Sequence, residues 1–318
     1  MADRVLILGA GIIGLSSAWH ALRRGFRVTV VDRGESTRDG CSFGNAGMVV
    51  PSHFIPLAAP GVVWQGIKWM WNPESPFYIR PRLSWDLLSW GLRFWWASSA
   101  HRVRAAAPIL RDLNFASRAI YEEWNADVSS GPGAFGLETK AGEIEAEQVV
   151  LAAGSWSPLV ARRLGLGLPM QAGKGYSVTL PSPRKMPRLC SILTEARVAV
   201  TPMGGKLRVG GTMELSGLSE EIAPARVRGI QRSFCRYYQD FKETDFEGLK
   251  PWKGLRPCSP DGLPYLGRSR KIPNLVIATG HAMMGLSLGP VTGKLVGELL
   301  DNAPASIDLS LLAPERYG

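Results

Sequence analysis

The sequence predicts an α/β fold, with a Rossmann-type parallel sheet joined to a second domain on an antiparallel sheet. Three observations predict it. An apolar run at 4–8 leads into Gly9, Gly11 and Gly14 at G-x-G-x-x-G spacing, and a helical stretch at 12–24 follows. A β-branched run at 27–31 then ends in Asp32, which completes a βαβ unit. Further along, alternation at 174–180, 196–201 and 206–212 reads as strands of an antiparallel sheet.

The elements follow in order. Residues 4–8 read as a buried parallel strand, because such strands are nearly continuous apolar runs. Over 12–24, Ile13, Leu15, Ala18 and Leu22 are available for packing, and Gly25 stops the helix. Residues 39–47 form a glycine-rich loop. The stretch 51–82 is rich in Pro and Trp and is expected to be irregular. Helices are expected at 83–96 and 103–124, with Pro108 near the start of the second. The turn-rich junction at 129–134 has no periodicity. A strand at 143–151, a helix at 224–241, a strand at 275–278, a glycine-rich turn through Pro290 and a helix at 291–300 complete the reading.

The chain has 318 residues, enough for one large domain or two ordinary ones, and its apolar and charged fractions of 45% and 20% suit a core that needs no disulfides. Cys41, Cys190, Cys235 and Cys258 show no C-x-x-C spacing and no histidine pairing, so they read as free thiols in a reducing compartment, with no metal. The net charge of +10 suits nucleic acid, anionic lipid, an anionic substrate or a solvated surface. No long basic run or nucleic-acid module supports the first of these, so no nucleic-acid partner is expected. Residues 5–19 imitate a signal peptide, but the glycine spacing argues against one, and no apolar run is long enough to span a membrane.

The glycine spacing has a physical reading. Gly9 permits a tight turn, Gly11 lets backbone approach a pyrophosphate at the helix N-terminus, and Gly14 lets helix and strand pack closely. Asp32 is placed to accept hydrogen bonds from an adenosine ribose. These features fit NAD and FAD equally.

Residues 9–32 also resemble the amino-acid oxidase and dehydrogenase superfamily of flavoproteins, with Ala18, Leu22, Gly25 and Val28 at expected positions. The resemblance continues through 40–47, 149–156 and 280–290. It implies FAD contacts at Gly9, Gly11, Ile12, Ile13, Gly14, Asp32 and Arg33, and in the second loop at Ser42, Asn45, Ala46 and Gly47. It further implies contacts at Ala153, Gly154 and Trp156, at Gly254 and Arg256, and at Gly280, His281, Met284, Gly285, Leu286 and Ser287. The helix after that last loop can stabilise negative charge on a reduced ring.

The segment 252–267 resembles the G-L-R-P…P-D-G-x-P signature of D-amino-acid dehydrogenases and glycine oxidases. In those relatives the arginine binds the substrate carboxylate. Arg256 suits that task because guanidinium is planar, permanently charged and bidentate. A structural ion pair is the alternative. Residues 48–96 look like the bacterial D-amino-acid dehydrogenase family in particular. The cysteine that anchors flavin in sarcosine oxidases would fall near Gly254, so the FAD is expected to be noncovalent. Tyr176 is a candidate pocket residue, with a structural tyrosine as the alternative. His53 and His281 are candidate acid–base groups. The family's hydride transfer from substrate Cα to flavin N5 needs a neutral amine more than a dedicated base. His281 is therefore expected to line flavin through its backbone, and His53 to pack in its loop.

The resemblance thus implies oxidation of the CH–NH bond in D-amino acids or cyclic imino acids such as D-proline or hydroxyproline, with the imine hydrolysing to a 2-oxo acid. The implied acceptor is a quinone or respiratory chain. The alternatives are an oxidase that uses oxygen, or a flavin-binding subunit with little turnover. Seven of the eleven tryptophans lie between Trp64 and Trp96, with Arg93, His101, Arg102 and Arg104 beside them. Residues 64–104 thus suit either a membrane interface or internal packing. The expected location is cytoplasmic, with peripheral contact on the inner face of the cell membrane if the first holds.

Family members are roughly a hundred residues longer. The block absent here falls at 129–134, so the substrate domain is expected to be shortened. The expected division is a Rossmann-type FAD-binding domain at 1–60, 136–168 and 250–318, an antiparallel-sheet substrate domain at 61–128 and 169–249, and a junction at 129–135.

Overall fold

A computed structural model describes residues 3–34, 40–52, 54–127 and 144–317. The junction at 129–134 and His53 lie outside the described residues. The chain opens with β1 (Arg4–Leu8), α1 (Ile12–Arg23) and β2 (Arg27–Val31), the βαβ unit read from the sequence. There follow α2 (Val62–Trp69), β3 (Phe77–Ile79), α3 (Trp85–Ala97), α4 (Ala100–Asp127), β4 (Gln148–Leu151) and α5 (Ser157–Arg163). The second half holds β5 (Gln171–Leu180), β6 (Ser191–Leu193), β7 (Val198–Met203), β8 (Lys206–Leu215), α6 (Pro224–Tyr237), β9 (Trp252–Cys258), β10 (Tyr265–Arg268), β11 (Leu275–Thr279) and α7 (Gly285–Leu300).

The first sheet runs β10-β11-β4-β1-β2, parallel throughout except for β10. Val5, Ile7, Val150, Val276 and Ala278 are buried in it, which explains the continuous apolar runs. α7 lies against α1 at close range. A Cβ on Gly293 would sit 2.4 Å from the Ser16 carbonyl oxygen, and one on Gly289 would sit 2.7 Å from Ile12. α4 covers α7 from outside with Leu110, Leu113 and Ile120, where each fully buried leucine contributes about 1.5–3 kcal/mol.

The second sheet runs β6-β7-β8-β5-β9, antiparallel, with β3 added parallel to β8. α6 supplies Val227, Ile230 and Phe234 to one face, where they meet Tyr176, Val178, Leu180, Val200 and Val209. The opposite face turns toward the first sheet and carries Gly173, Gly175 and Arg256.

Three departures from the sequence reading have physical causes. The stretch expected to be irregular holds α2 and β3, because α2 packs Gly66 directly under the Phe77 ring. The glycine-rich turn expected through Pro290 is already helical from Gly285. Pro290 has no N–H for the Leu286 carbonyl, and the Tyr121 hydroxyl of α4 donates to that oxygen instead, at 2.7 Å. The expected division at 250 also does not follow the sheets. β9 pairs with β5 in the second sheet, and α4, grouped by sequence with the substrate domain, packs on the first.

Candidate active site

The turn after β1 is held open by glycine. Gly9 adopts φ +114°, and a Cβ there would lie 2.5 Å from the Ala152 carbonyl oxygen. A Cβ on Gly14 would lie 1.8 Å from the Gly9 carbonyl oxygen, so α1 can sit this close to the turn only with glycine. No side chain caps the N-terminus of α1 at Gly11. The Ile12 N–H donates to Ser42 Oγ at 2.9 Å, while the Ile13 and Gly14 N–H groups have no intrahelical acceptor by position. The helix start therefore offers backbone donors to an anion.

Asp32 takes one hydrogen bond on each oxygen, from the Ala10 N–H at 2.6 Å and the Gly34 N–H at 2.8 Å. A carboxylate oxygen accepts more than one, so both retain capacity for a ribose diol. Arg33 stacks 3.5 Å over the Trp156 ring and pairs with Glu220. Residues taken separately from the sequence thus meet at one place. Gly154, at φ +53°, turns the chain from β4 toward Trp156, whose N–H donates to the Ala153 carbonyl.

The loop at 40–47 is clasped to the second sheet. Ser177 Oγ donates to the Gly44 carbonyl at 3.0 Å, and Arg208 donates to the Phe43 and Asn45 carbonyls at 3.2 and 2.8 Å. Asn45 accepts from the Gly47 N–H. Ser287, near the start of α7, accepts from the Val50 N–H at 3.1 Å.

Over the second sheet, walled by the 41–70 segment, α3 and the start of α7, lies a cavity of about 1370 Å³. It gathers Asn45, Ala46 and Gly47, then Gly254 and Arg256, then Met284, Leu286 and Ser287. Small-molecule sites usually span about 300–1,000 Å³, so this one has room for a ring system together with a substrate. The donor set, the free carboxylate capacity and the adjoining cavity fit a dinucleotide carrying a tricyclic ring.

Arg256 projects from β9 over Gly175. A Cβ on Gly175 would lie 2.2 Å from its Nη2, so only glycine leaves space for the guanidinium. Nη1 donates to the Thr212 carbonyl at 2.7 Å, which fixes the fork and leaves Nη2 for a carboxylate.

The side chains of two candidate residues serve the fold. Tyr176 borders the cavity, but its hydroxyl belongs to a structural network on the α6 side, where it donates to Glu214 at 2.6 Å. Glu214 also pairs with the buried Lys174 at 3.3 Å, and Lys174 donates to the Glu221 carbonyl. Burial alone would raise the Glu214 carboxyl, but the Tyr176 hydroxyl and Lys174 ammonium outweigh it and hold it below the usual range. Burial, with the Glu214 charge beside it, pushes the Tyr176 phenol up, away from proton transfer near neutrality.

His281 is 2% exposed, its Nε2 is 2.9 Å from Thr292 Oγ1, and its Nδ1 has no partner. Burial lowers its pKa to about 3, so it is neutral at physiological pH and no proton carrier there. The folded pKa lies below the unfolded value near 6.5, so this contribution to stability is complete above about pH 6.5 and is lost as pH falls toward 3. His281→Gln is expected to flatten the acid loss by about 1 kcal/mol per pH unit between about pH 6 and 4. Urea unfolding at several pH values checks this, and parallel losses in the two proteins would contradict it.

One wall residue escaped the sequence reading. Trp252 lies against two glycines, and a Cβ on either Gly44 or Gly254 would fall 2.1 Å from its ring. The signal was present in β9, where 252, 254 and 256 alternate onto one face, but only once 252–258 is known to be a strand.

The chain matches the family model described as FAD dependent oxidoreductase over residues 4–128 and 119–299. It is similar to the D-amino acid dehydrogenase of Paramagnetospirillum magneticum, 29% identical with 99% of each chain covered. The D-amino acid dehydrogenase of Granulibacter bethesdensis is 27% identical, also with 99% of each covered. The first alignment runs over 420 positions against 318 residues here, as expected of a chain shorter than its relatives. Among solved structures, glycine oxidase from Geobacillus kaustophilus superposes with TM-score 0.66 at 21% identity, covering 99% of each chain. L-proline dehydrogenase from P. horikoshii superposes with TM-score 0.61 at 14% identity, covering 99% of this chain and 98% of that one. At these identities the two superpositions establish the fold.

Proposed function

The chain belongs to the FAD dependent oxidoreductase family, and from that premise we propose that it oxidises the CH–NH bond of D-amino acids or cyclic imino acids such as D-proline. The observation that carries the substrate class is Arg256, a guanidinium with one free edge in the wall of a largely apolar cavity beside the dinucleotide cradle. The names of the relatives support the same class.

Gly9, Gly11, Ile12, Ile13 and Gly14 would hold the pyrophosphate, Asp32 and Arg33 the adenosine end, and the 40–47 and 280–287 segments the ring. Bound there, FAD supplies a hydride acceptor at N5. Arg256 orients the substrate by its carboxylate and leaves the Cα–H to face the ring site. The apolar walls limit water, which strengthens that ion pair. Neither His281 nor Tyr176 takes the ammonium proton, so it leaves to solvent before the hydride moves. Water then hydrolyses the released imine to a 2-oxo acid.

The electron acceptor we propose is a quinone, reached from a lipid surface. No described helix is long and apolar enough to cross a membrane. Instead α2 and α3 carry exposed Trp64, Trp85, Trp95 and Trp96, with exposed Trp71 in the turn after α2, beside the exposed cations Lys68, Arg102 and Arg104, which suits an interfacial face. Internal packing takes only part of this stretch, since Trp90 is buried and donates to the Cys258 carbonyl.

An anaerobic screen of D- and L-amino acids and prolines against the FAD-loaded protein tests the substrate reading. D-amino acids or prolines are expected to bleach the flavin. A flavin that no amine reduces would reject the reading in favour of a cofactor-binding subunit.

A further inference from the structure

The exposed apolar face leads inward. Between α2 and α3 lies a second cavity of about 350 Å³, lined by Gly61, Val63, Trp64, Ile67, Trp95 and Ser98. Its first four residues also line the large cavity that holds Arg256. The small cavity therefore adjoins the large one as a vestibule, beside exposed positions of α2 and α3. Trp64 and Trp95, at its mouth, are 63% and 67% exposed.

The lining decides what can pass. Five of the six residues are apolar, and the hydroxyl of the sixth, Ser98, already donates to the Phe94 carbonyl at 2.7 Å. A zwitterionic amino acid would shed its hydration there against a lining with no charged side chain. A flat, uncharged ring on a hydrocarbon tail loses nothing and gains contact with two indoles. One cation borders the mouth and a second lies on Trp96, next in sequence to the lining Trp95. Lys68 lies 5.8 Å from the Trp64 ring centroid, and Arg102 lies 3.1 Å from that of Trp96. Such a rim complements anionic headgroups around a molecule that arrives from the bilayer.

We propose that the gap between α2 and α3 is the entry port for a lipid-dissolved quinone, separate from the route of the amino acid. The inference rests on the oxidoreductase reading above. The electrons balance: the amino acid gives up its Cα hydrogen as hydride and one N–H proton to become an imine, and the quinone takes two electrons and two protons to become the quinol.

The test is equilibrium binding of a decyl-tailed benzoquinone to the FAD-loaded protein without amino acid, followed by tryptophan quenching. Ser98→Phe, which fills the vestibule, is expected to weaken binding at least about tenfold. Trp95→Arg, on an exposed position that tolerates exchange, places a charge at the mouth and is expected to do the same. Oxidation coupled to a water-soluble dye is expected to stay within about twofold of the parent in both variants, a change small on the free-energy scale. Quinone binding unchanged in both variants, or absent from the parent, would overturn the port while leaving dye-coupled oxidation to support the substrate reading. Weakened quinone binding in a protein that no amino acid reduces would uphold the port and reject that reading.

Discussion

Arg256→Ala is expected to lower the second-order rate of flavin reduction by D-amino acids about 10²- to 10³-fold, the loss typical of a charge-assisted pair in a shielded site. The guanidinium is held ready before substrate arrives. Thr212 fixes one nitrogen, and Gly175 clears the space beneath the other. Alanine removes the charge and leaves the substrate carboxylate in an apolar cavity without a partner. Arg256→Lys should recover only part of the rate, because an ammonium cannot grip a carboxylate with two parallel bonds. Stopped-flow reduction of the FAD-loaded variants measures both. Reduction by Arg256→Ala at the parent rate would remove this residue from substrate binding.

Gly14→Ala is expected to weaken FAD binding at least about 100-fold, or close to 3 kcal/mol. The added Cβ would fall 1.8 Å from the Gly9 carbonyl oxygen, a backbone atom that cannot rotate away. α1 must then retreat from β1, and its first-turn N–H groups move out of reach of the pyrophosphate. The same substitution at an exposed glycine would be neutral or slightly stabilising. Gly167 is such a control, because it is exposed and nothing lies within 4 Å of its Cβ position.

The cofactor cradle was legible because its chemistry and its fold use the same residues. Gly9, Gly14 and Asp32 are placed by local geometry, and the strand and helix on either side announce themselves by pattern. The segment with Arg256 was legible by resemblance, but its strand was not. Gly254 and Pro257 depress strand propensity, and β9 forms because β5 offers it a ladder. The start of α7 was misread for a related reason. Gly285 and Gly289 look like turn residues, and the helix tolerates Gly289, as it does Gly293 further on, because α1 must approach closely. Tyr176 shows a different limit. Alternation assigns a side chain to a face of its strand, yet both faces of the second sheet are covered, and only packing shows that Glu214 takes the hydroxyl. For the tryptophans, composition suggested an apolar surface, but exposure had to separate Trp90, inside, from Trp95, outside.

The cradle and Arg256 are in place in a chain shorter than its relatives, so a shortened member of the family is expected still to bind its cofactor. Titration of the purified apoprotein with FAD tests this most directly. Saturable, noncovalent uptake of one FAD per chain is expected, released on denaturation and weakened at least about 100-fold by Gly14→Ala. A folded apoprotein that takes up no FAD would contradict it.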